Sequence, residues 1–214
     1  TITALSLDAS LALAPLIGQG ALLQLQQADG SVRPLHGRIT AAERLGSNGG
    51  LARYRLRLQP WLAFLSQRVD SYVFHDKTVV EIVEDLFADY GALAPAWRWS
   101  LGDASQYARR SLTTQYQESD LAFIQRLLAE EGLGWRLYAD DDAPCGNGME
   151  IFADSVDLPE DAASSGAGVR FHRSDATESS DSVQAIGLHR RLGSTVVNLQ
   201  SDDYRQVRAL AGQA

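Results

Sequence analysis

Apolar and polar residues alternate through three early stretches of the chain. Between Ala21 and Gln27, Leu23 and Leu25 are set against Gln24 and Gln26; Val32 to Thr40 follows; between Ala52 and Gln59, Tyr54, Leu56 and Leu58 alternate with Arg53, Arg55 and Arg57. A period of two predicts half-buried strands. Asp29-Gly30 between the first two stretches predicts a hairpin turn, because both central residues of a type I′ turn need positive φ and Asp-Gly tolerates it. The result is an antiparallel meander, which suits a small barrel or sandwich better than a parallel nucleotide-binding sheet.

The period then changes to that of a helix. Thr78 and Glu81 form a capping box, and Val79, Ile82, Val83, Leu86, Phe87 and Tyr90 recur at helical spacing until Gly91. A second helix is predicted from about Ser119, a natural N-cap, through Leu121, Ile124, Leu127 and Leu128 to Gly132, with Asp120 in the first turn where the dipole favours an acid. Short strand patterns follow at Leu133 to Ala139, Met149 to Ala153, Val169 to His172, Ser182 to Leu192 and Thr195 to Gln200. Loops are expected at Leu45 to Gly50, Asp140 to Gly148 and Pro159 to Gly168, where glycine, proline and small or acidic residues gather. The fold class is mainly β with inserted helices, either all-β or α+β.

Composition narrows the function. The 214 residues carry 19 Lys plus Arg against 27 Asp plus Glu, a formal net charge of -8, and 45% hydrophobic residues. Such a chain folds, and its acidity argues against a binder of phosphate backbones. The acid is concentrated late: residues 1 to 138 hold 13 basic and 14 acidic residues, residues 139 to 214 hold 6 and 13. No stretch approaches the roughly 20 apolar residues of a membrane span. The most apolar opening run, Leu11 to Ile17, contains Pro15, and no Lys/Arg-led leader precedes it. The single cysteine, Cys145, cannot form an internal disulfide. A start at Thr1 and an end at Ala214 without a terminating signal give the expectation of a piece excised from a longer chain.

The residues with reactive side chains have plainer explanations. Asp140, Asp141 and Asp142 supply the oxygen ligands that calcium or magnesium prefers, but three adjacent aspartates point in different directions and lack the spacing of a calcium loop. They read as a solvated loop. Glu130 and Glu131 are neighbours on a helix, where successive side chains diverge by about 100°, so they read as surface residues. His36, His75, His172 and His189 form no zinc-binding spacing. Cys145 paired with a distant histidine would be a nucleophile, yet its loop offers no helix N-terminus to lower its pKa. Gly46, Gly49 and Gly50 match no phosphate-binding pattern. Trp61, Trp97, Trp99 and Trp135 would suit a sugar or base platform, but core packing explains them more simply.

The run Gln115 to Gly132, QYQESDLAFIQRLLAEEG, resembles the most telling segment of the VgrG proteins, the spike proteins of bacterial type VI secretion systems. Leu16 to Gln19, Leu35 to Ile39, Tyr54 to Leu56, Pro60 to Leu65 and the approach from Val73 to Ile82 resemble the same family in the same order. The likeness covers residues 16 to 140 and continues more weakly through Met149 to Asp154 and Val169 to His172. It implies a hub fold shared with the baseplates of contractile phage tails, with two small β-barrel subdomains per chain. Residues 1–75 would form the first, 76–138 a helix-containing connection, and 139–214 the second, incomplete past Leu210.

Three such chains would make a homotrimer whose six barrels match the hexameric inner tube protein, Hcp. Baseplate components, effectors and adaptors would be further partners. The protein would be assembled in the bacterial cytoplasm and then translocated into a target cell. On this reading no residue is catalytic and no cofactor or metal is bound. A contractile phage tail hub, and a hydrolytic effector domain using Cys145 or the aspartates, are the alternatives.

Overall fold

The structure is a computed structural model describing residues 1–26, 30–160, 168–172, 182–193, 196, 198–202 and 209–213. Two compact units divide the chain, Thr1–Pro159 and Glu160–Ala214. The fold is mainly β with inserted helices, as the alternating patterns predict.

Within the first unit, β1 (Ile2–Ser6), β2 (Gly20–Gln26), β3 (Val32–Asn48) and β4 (Leu51–Gln59) form one antiparallel sheet in the order β1-β4-β3-β2. Strands β2 to β4 are the expected meander. β1, to which periodicity assigned no strand, pairs along β4 from Ile2 opposite Leu56 to Ser6 opposite Ala52. The expected loop Leu45 to Gly50 is shorter than its composition suggested. β3 runs on to Asn48, Gly46 sits at a register shift within the ladder, and the turn is Gly49-Gly50 alone, with φ of 62° and 83°. Two successive positive φ values are what a two-residue hairpin demands. The expected Asp29-Gly30 turn includes Asp29, which lies outside the described residues.

β5 (Val69–Lys77) and β7 (Arg110–Ser119) form an antiparallel two-stranded ribbon. Helix α1 (Val79–Ala88) leaves β5 through the capping box: Thr78 Oγ1 accepts from the Glu81 amide at 3.1 Å and the Glu81 carboxylate accepts from the Thr78 amide at 2.9 Å. Helix α2 (Asp120–Glu130) starts on Ser119, whose hydroxyl accepts from the Ala122 amide, and Gly132 follows it with a φ of 71°. A three-stranded sheet joins β6 (Trp97–Ser100), β9 (Asn147–Phe152) and β8 (Gly134–Ala139), with β6 parallel and β8 antiparallel to β9. It holds residues from both sides of position 139.

The helices account for the core. Val79, Ile82, Val83, Leu86 and Phe87 of α1 meet Phe123, Ile124, Leu127 and Leu128 of α2, and Trp61, Leu65, Phe74, Met149 and Ile151 close the cluster. Trp61 meets Phe87 edge-on at 5.0 Å between ring centroids, and Phe74 stacks on Phe123 at 5.7 Å. Trp97, Trp99 and Trp135 pack against this cluster in part, so all four tryptophans serve packing. Each fully buried large apolar side chain contributes about 1.5–3 kcal/mol.

In the second unit, β10 (Asn198–Asp202) pairs antiparallel with β11 (Ala209–Gln213). The strand expected over Ser182 to Leu192 is not formed. Val183 makes an isolated parallel bridge with Phe171, and residues 184–192 have no regular structure. The bridge is also all that forms of the expected Val169–His172 strand. Period-two alternation marks a segment able to pair, and pairing needs a second strand in reach. Of the strand expected over Thr195 to Gln200, residues 198–200 lie in β10, and Thr195 and Val197 lie outside the described residues. Most of the expected Pro159–Gly168 loop, residues 161–167, also lies outside them.

Candidate functional site: a cleft between the first sheet and the 140–146 turn

His36, Asp141 and Cys145, unrelated in sequence, line one cleft of about 370 Å³. On β2 and β3, Leu22 stands opposite His36 and Gly20 opposite Arg38, so these side chains project from one face of the sheet. The turn between β8 and β9 packs on that face. Within the turn the Asp142 amide donates to Asp140 Oδ1, the Gly146 amide donates to the Ala143 carbonyl, and the Asp140 amide donates to the Gly146 carbonyl. His36 Nε2 donates to Asp141 Oδ1 at 3.0 Å, tying the turn to β3.

Gly146 explains how closely the two approach. Its φ is 69°, and a Cβ placed on it would lie 2.1 Å from His36 Cγ. Only a glycine fits against the imidazole there. Gly148 plays the same part beneath Tyr138, whose hydroxyl would lie 2.5 Å from an added Cβ. Arg38 completes the wall by donating to the Gly18 carbonyl at 3.0 Å.

The chemistry available is that of a clasp. The Cys145 thiol donates to the Asn147 carbonyl at 2.9 Å, and Asn147 Nδ2 returns a bond to the Cys145 carbonyl at 3.0 Å. The thiol is thus directed to backbone, while the imidazole is directed to Asp141. Among the described residues no three His, Cys, Asp or Glu side chains are grouped to hold a metal ion, and no helix is long and apolar enough to cross a membrane. His75 lines a different cleft, beside β5, and His172 and His189 lie in the second unit.

Two polar clusters went unseen in the sequence. Asp120, expected only to favour the α2 dipole, is fully buried and accepts from Arg68 Nε at 2.5 Å, Tyr90 Oη at 2.6 Å and Gln115 Nε2 at 2.8 Å. Burial and the Asp120 charge beside it push the Tyr90 phenol well above its usual range. Glu150 on β9 stands in register between Arg98 of β6 and Arg136 of β8. Hydrogen bonds from Arg98 first, and from Arg136 and Ser100, hold its carboxyl down to about 2 against the cost of burial. The available signal was a lone acid in the apolar run Met149–Ile151, with an arginine at alternating positions of both Trp97–Trp99 and Trp135–Leu137.

Glu130 and Glu131 do act together, against the divergence expected of helix neighbours. Arg110 Nη1 donates to Glu130 at 2.6 Å and Arg110 Nη2 to Glu131 at 2.5 Å. Glu131 is the C-cap at the helix end, and the wide guanidinium fork of Arg110 spans both carboxylates, one from each Nη.

The sheets, the capped helix pair and these ion-paired seams define a β-rich domain whose polar side chains clamp strands and turns together. This chain belongs to the phage tail baseplate hub (GPD) family, which it matches over residues 1–214. It is 43% identical over 99 residues to the type VI secretion system spike protein VgrG4b of Pseudomonas aeruginosa, and 39% identical over 99 residues to VgrG5 of the same organism. Each alignment covers 46% of this chain and 12% of the relative. The structure matches that of the E. coli c3393 protein, a type VI secretion component described as similar to the T4 bacteriophage tail proteins gp27 and gp5. That match has a TM-score of 0.66 at 28% identity and covers 74% of this chain and 42% of the other. The chain therefore spans under half the length of these proteins.

Proposed function

We propose that this chain is the hub region of a type VI secretion spike. The carrying observation is the hub-family match along the whole chain together with 43% identity to a spike protein. In the full-length protein three copies form a ring, and two β-barrel subdomains from each, residues 1–75 and 139–214 flanking the connection 76–138, present pseudo-sixfold symmetry to the hexameric inner tube protein Hcp. Closure of each barrel is part of this proposal. The ring caps the tube within a baseplate, is assembled in the bacterial cytoplasm, and is translocated with effectors or their adaptors into the target cell. No residue of the chain is catalytic and none binds a cofactor. The family description also favours a second reading of the same mechanical kind, a contractile phage tail hub.

Light scattering tests the assembly. The full-length parent is expected to be a trimer. The present chain, which must offset the association entropy with fewer contacts, is expected to be monomeric or weakly self-associating at micromolar concentration. A parent that stays monomeric at every concentration overturns the hub reading. Cys145→Ser and Asp141→Asn in the parent are expected to leave spike-dependent secretion intact. A well-folded, assembled variant that loses secretion would assign chemistry to the cleft.

A further inference from the structure

Two of the strongest features of the first unit meet at β5: an unpaired strand edge and a cleft of about 380 Å³. Among the described residues β5 pairs only with β7, leaving nine residues with one open side. The cleft borders this strand: the consecutive residues Tyr72, Val73, Phe74 and His75 all line it, so it reaches the β5 backbone, and Gln115 of β7, opposite Tyr72, lines it as well. The opposite wall is α1, through Asp85, Leu86 and Asp89. Phe74 and Leu86 are buried and make an apolar floor, while Tyr72 remains 56% exposed above it.

The charges around this slot do not balance. Asp70, Asp85 and Asp89 line it, and the buried Asp120 lies behind Arg68 and Gln115, which line it too. Against these four carboxylates stand Arg68 and Lys77. Arg68 is divided between Asp120 and Asp89, and Lys77 is bonded to Asp85. Among the described residues Asp70 bonds only the amide of Ser71 next to it and pairs with no cation.

We infer that the β5 edge and the slot beside α1 form a docking site for an extended, cationic segment of a partner protein, which adds a strand to the β5–β7 ribbon. Backbone groups of the segment pair with the open side of β5. Alternate aliphatic side chains, roughly 7 Å apart on one face of a strand, enter the slot over Phe74 and Leu86. Arginine or lysine on the segment meets Asp70 and the Asp89 rim. A two-stranded ribbon is marginal by itself, and a third strand adds both pairing and cover. This inference goes beyond the hub reading and does not rest on it.

Amide chemical shifts of the whole chain test it, with a seven-residue peptide of alternating leucine and arginine as the probe and its leucine–glutamate counterpart as the control. The expected result is saturable binding below about 1 mM, with shifts confined to β5 and α1, and no binding of the glutamate peptide. Asp70→Lys, an exposed position, is expected to weaken binding by about fivefold without lowering the melting temperature. A peptide-side test requires no change to the protein: N-methylation at every second peptide bond should abolish binding in one register and spare it in the other. Absence of binding to the arginine peptide, equal binding of the glutamate peptide, shifts mapping away from β5, or indifference to N-methylation in both registers would each overturn the proposal.

Discussion

The β1–β4 sheet and the helix-containing body of the first unit spend their apolar residues in different ways. Phe87, Phe123 and Leu127 of the helices have no exposed surface, whereas Leu25 and Leu35, which share a face of the first sheet with Leu23, are 44% and 38% exposed. Ala52 and Tyr54 on β4 are buried on that same face, with Tyr54 Oη donating to the Asp8 carbonyl at 2.9 Å, so cover reaches the β4 part of the face and leaves its β2 end open. A helix pair can bury its stripes against itself, because each helix supplies the surface the other needs. The β1–β4 sheet leaves the β2 end of this face uncovered, and the apolar residues there stay available for another surface. The helix-containing body thus covers its own apolar residues, and the open end of the sheet is the part suited to another surface.

The largest test of that contrast is Leu127→Ala, which should cost about 2–5 kcal/mol in a denaturant titration because a fully buried leucine leaves a cavity. An unchanged midpoint would remove α2 from the core. Gly146→Ala should cost about 1–3 kcal/mol, since the new Cβ meets the His36 ring and the residue keeps positive φ. Gly102→Ala is the control: φ is 68° but nothing lies within 4 Å of the added Cβ. A larger loss for Gly146 than for Gly102 measures the turn-to-sheet contact; equal losses would show that backbone strain alone is felt.

Acid titration probes the β6-β9-β8 seam. The folded Glu150 carboxyl sits near 2, below an ordinary glutamate at about 4.3, so its contribution is complete above that ordinary value and is lost as pH falls toward 2. Glu150→Gln should flatten the stability profile between those limits, and a profile identical to that of the parent would mean that the arginine row does not clamp the sheet. The smallest effect belongs to the first sheet: Leu25→Ala should change the stability of this chain by less than about 0.5 kcal/mol. In a full-length parent the same substitution should weaken association, which light scattering across a dilution series would detect.

The helices were legible almost residue by residue. Their caps and periodic stripes are local, and Thr78, Glu81, Ser119 and Gly132 carry out in the structure the parts their types suggest. The meander was legible for the same reason, through the alternation of Tyr54, Leu56 and Leu58 with arginines. β1, β5, β6 and β7 were not assigned, because Val69–Lys77 and Arg110–Ser119 mix apolar and polar residues on both faces of their ribbon. Ser182–Leu192 failed in the opposite direction, an alternating pattern without a ladder. The cleft residues stand far apart in the chain, and nothing in their spacing shows that residue 36 meets residues 141 to 146.

Capping boxes, positive-φ glycines and the period of apolar residues act over a few bonds, so this chain's helices, its tight Gly49-Gly50 turn and its mainly-β class follow from local sequence. Tertiary structure alone decided which charges met. Asp120, 52 residues from Arg68, became a buried acceptor; Glu150 was held between arginines from two other strands; Asp141 found His36 across 105 positions. The Asp141–His36 contact depends on the close approach that Gly146 permits, and the Glu150 contacts on strand register, which is set by the whole sheet at once.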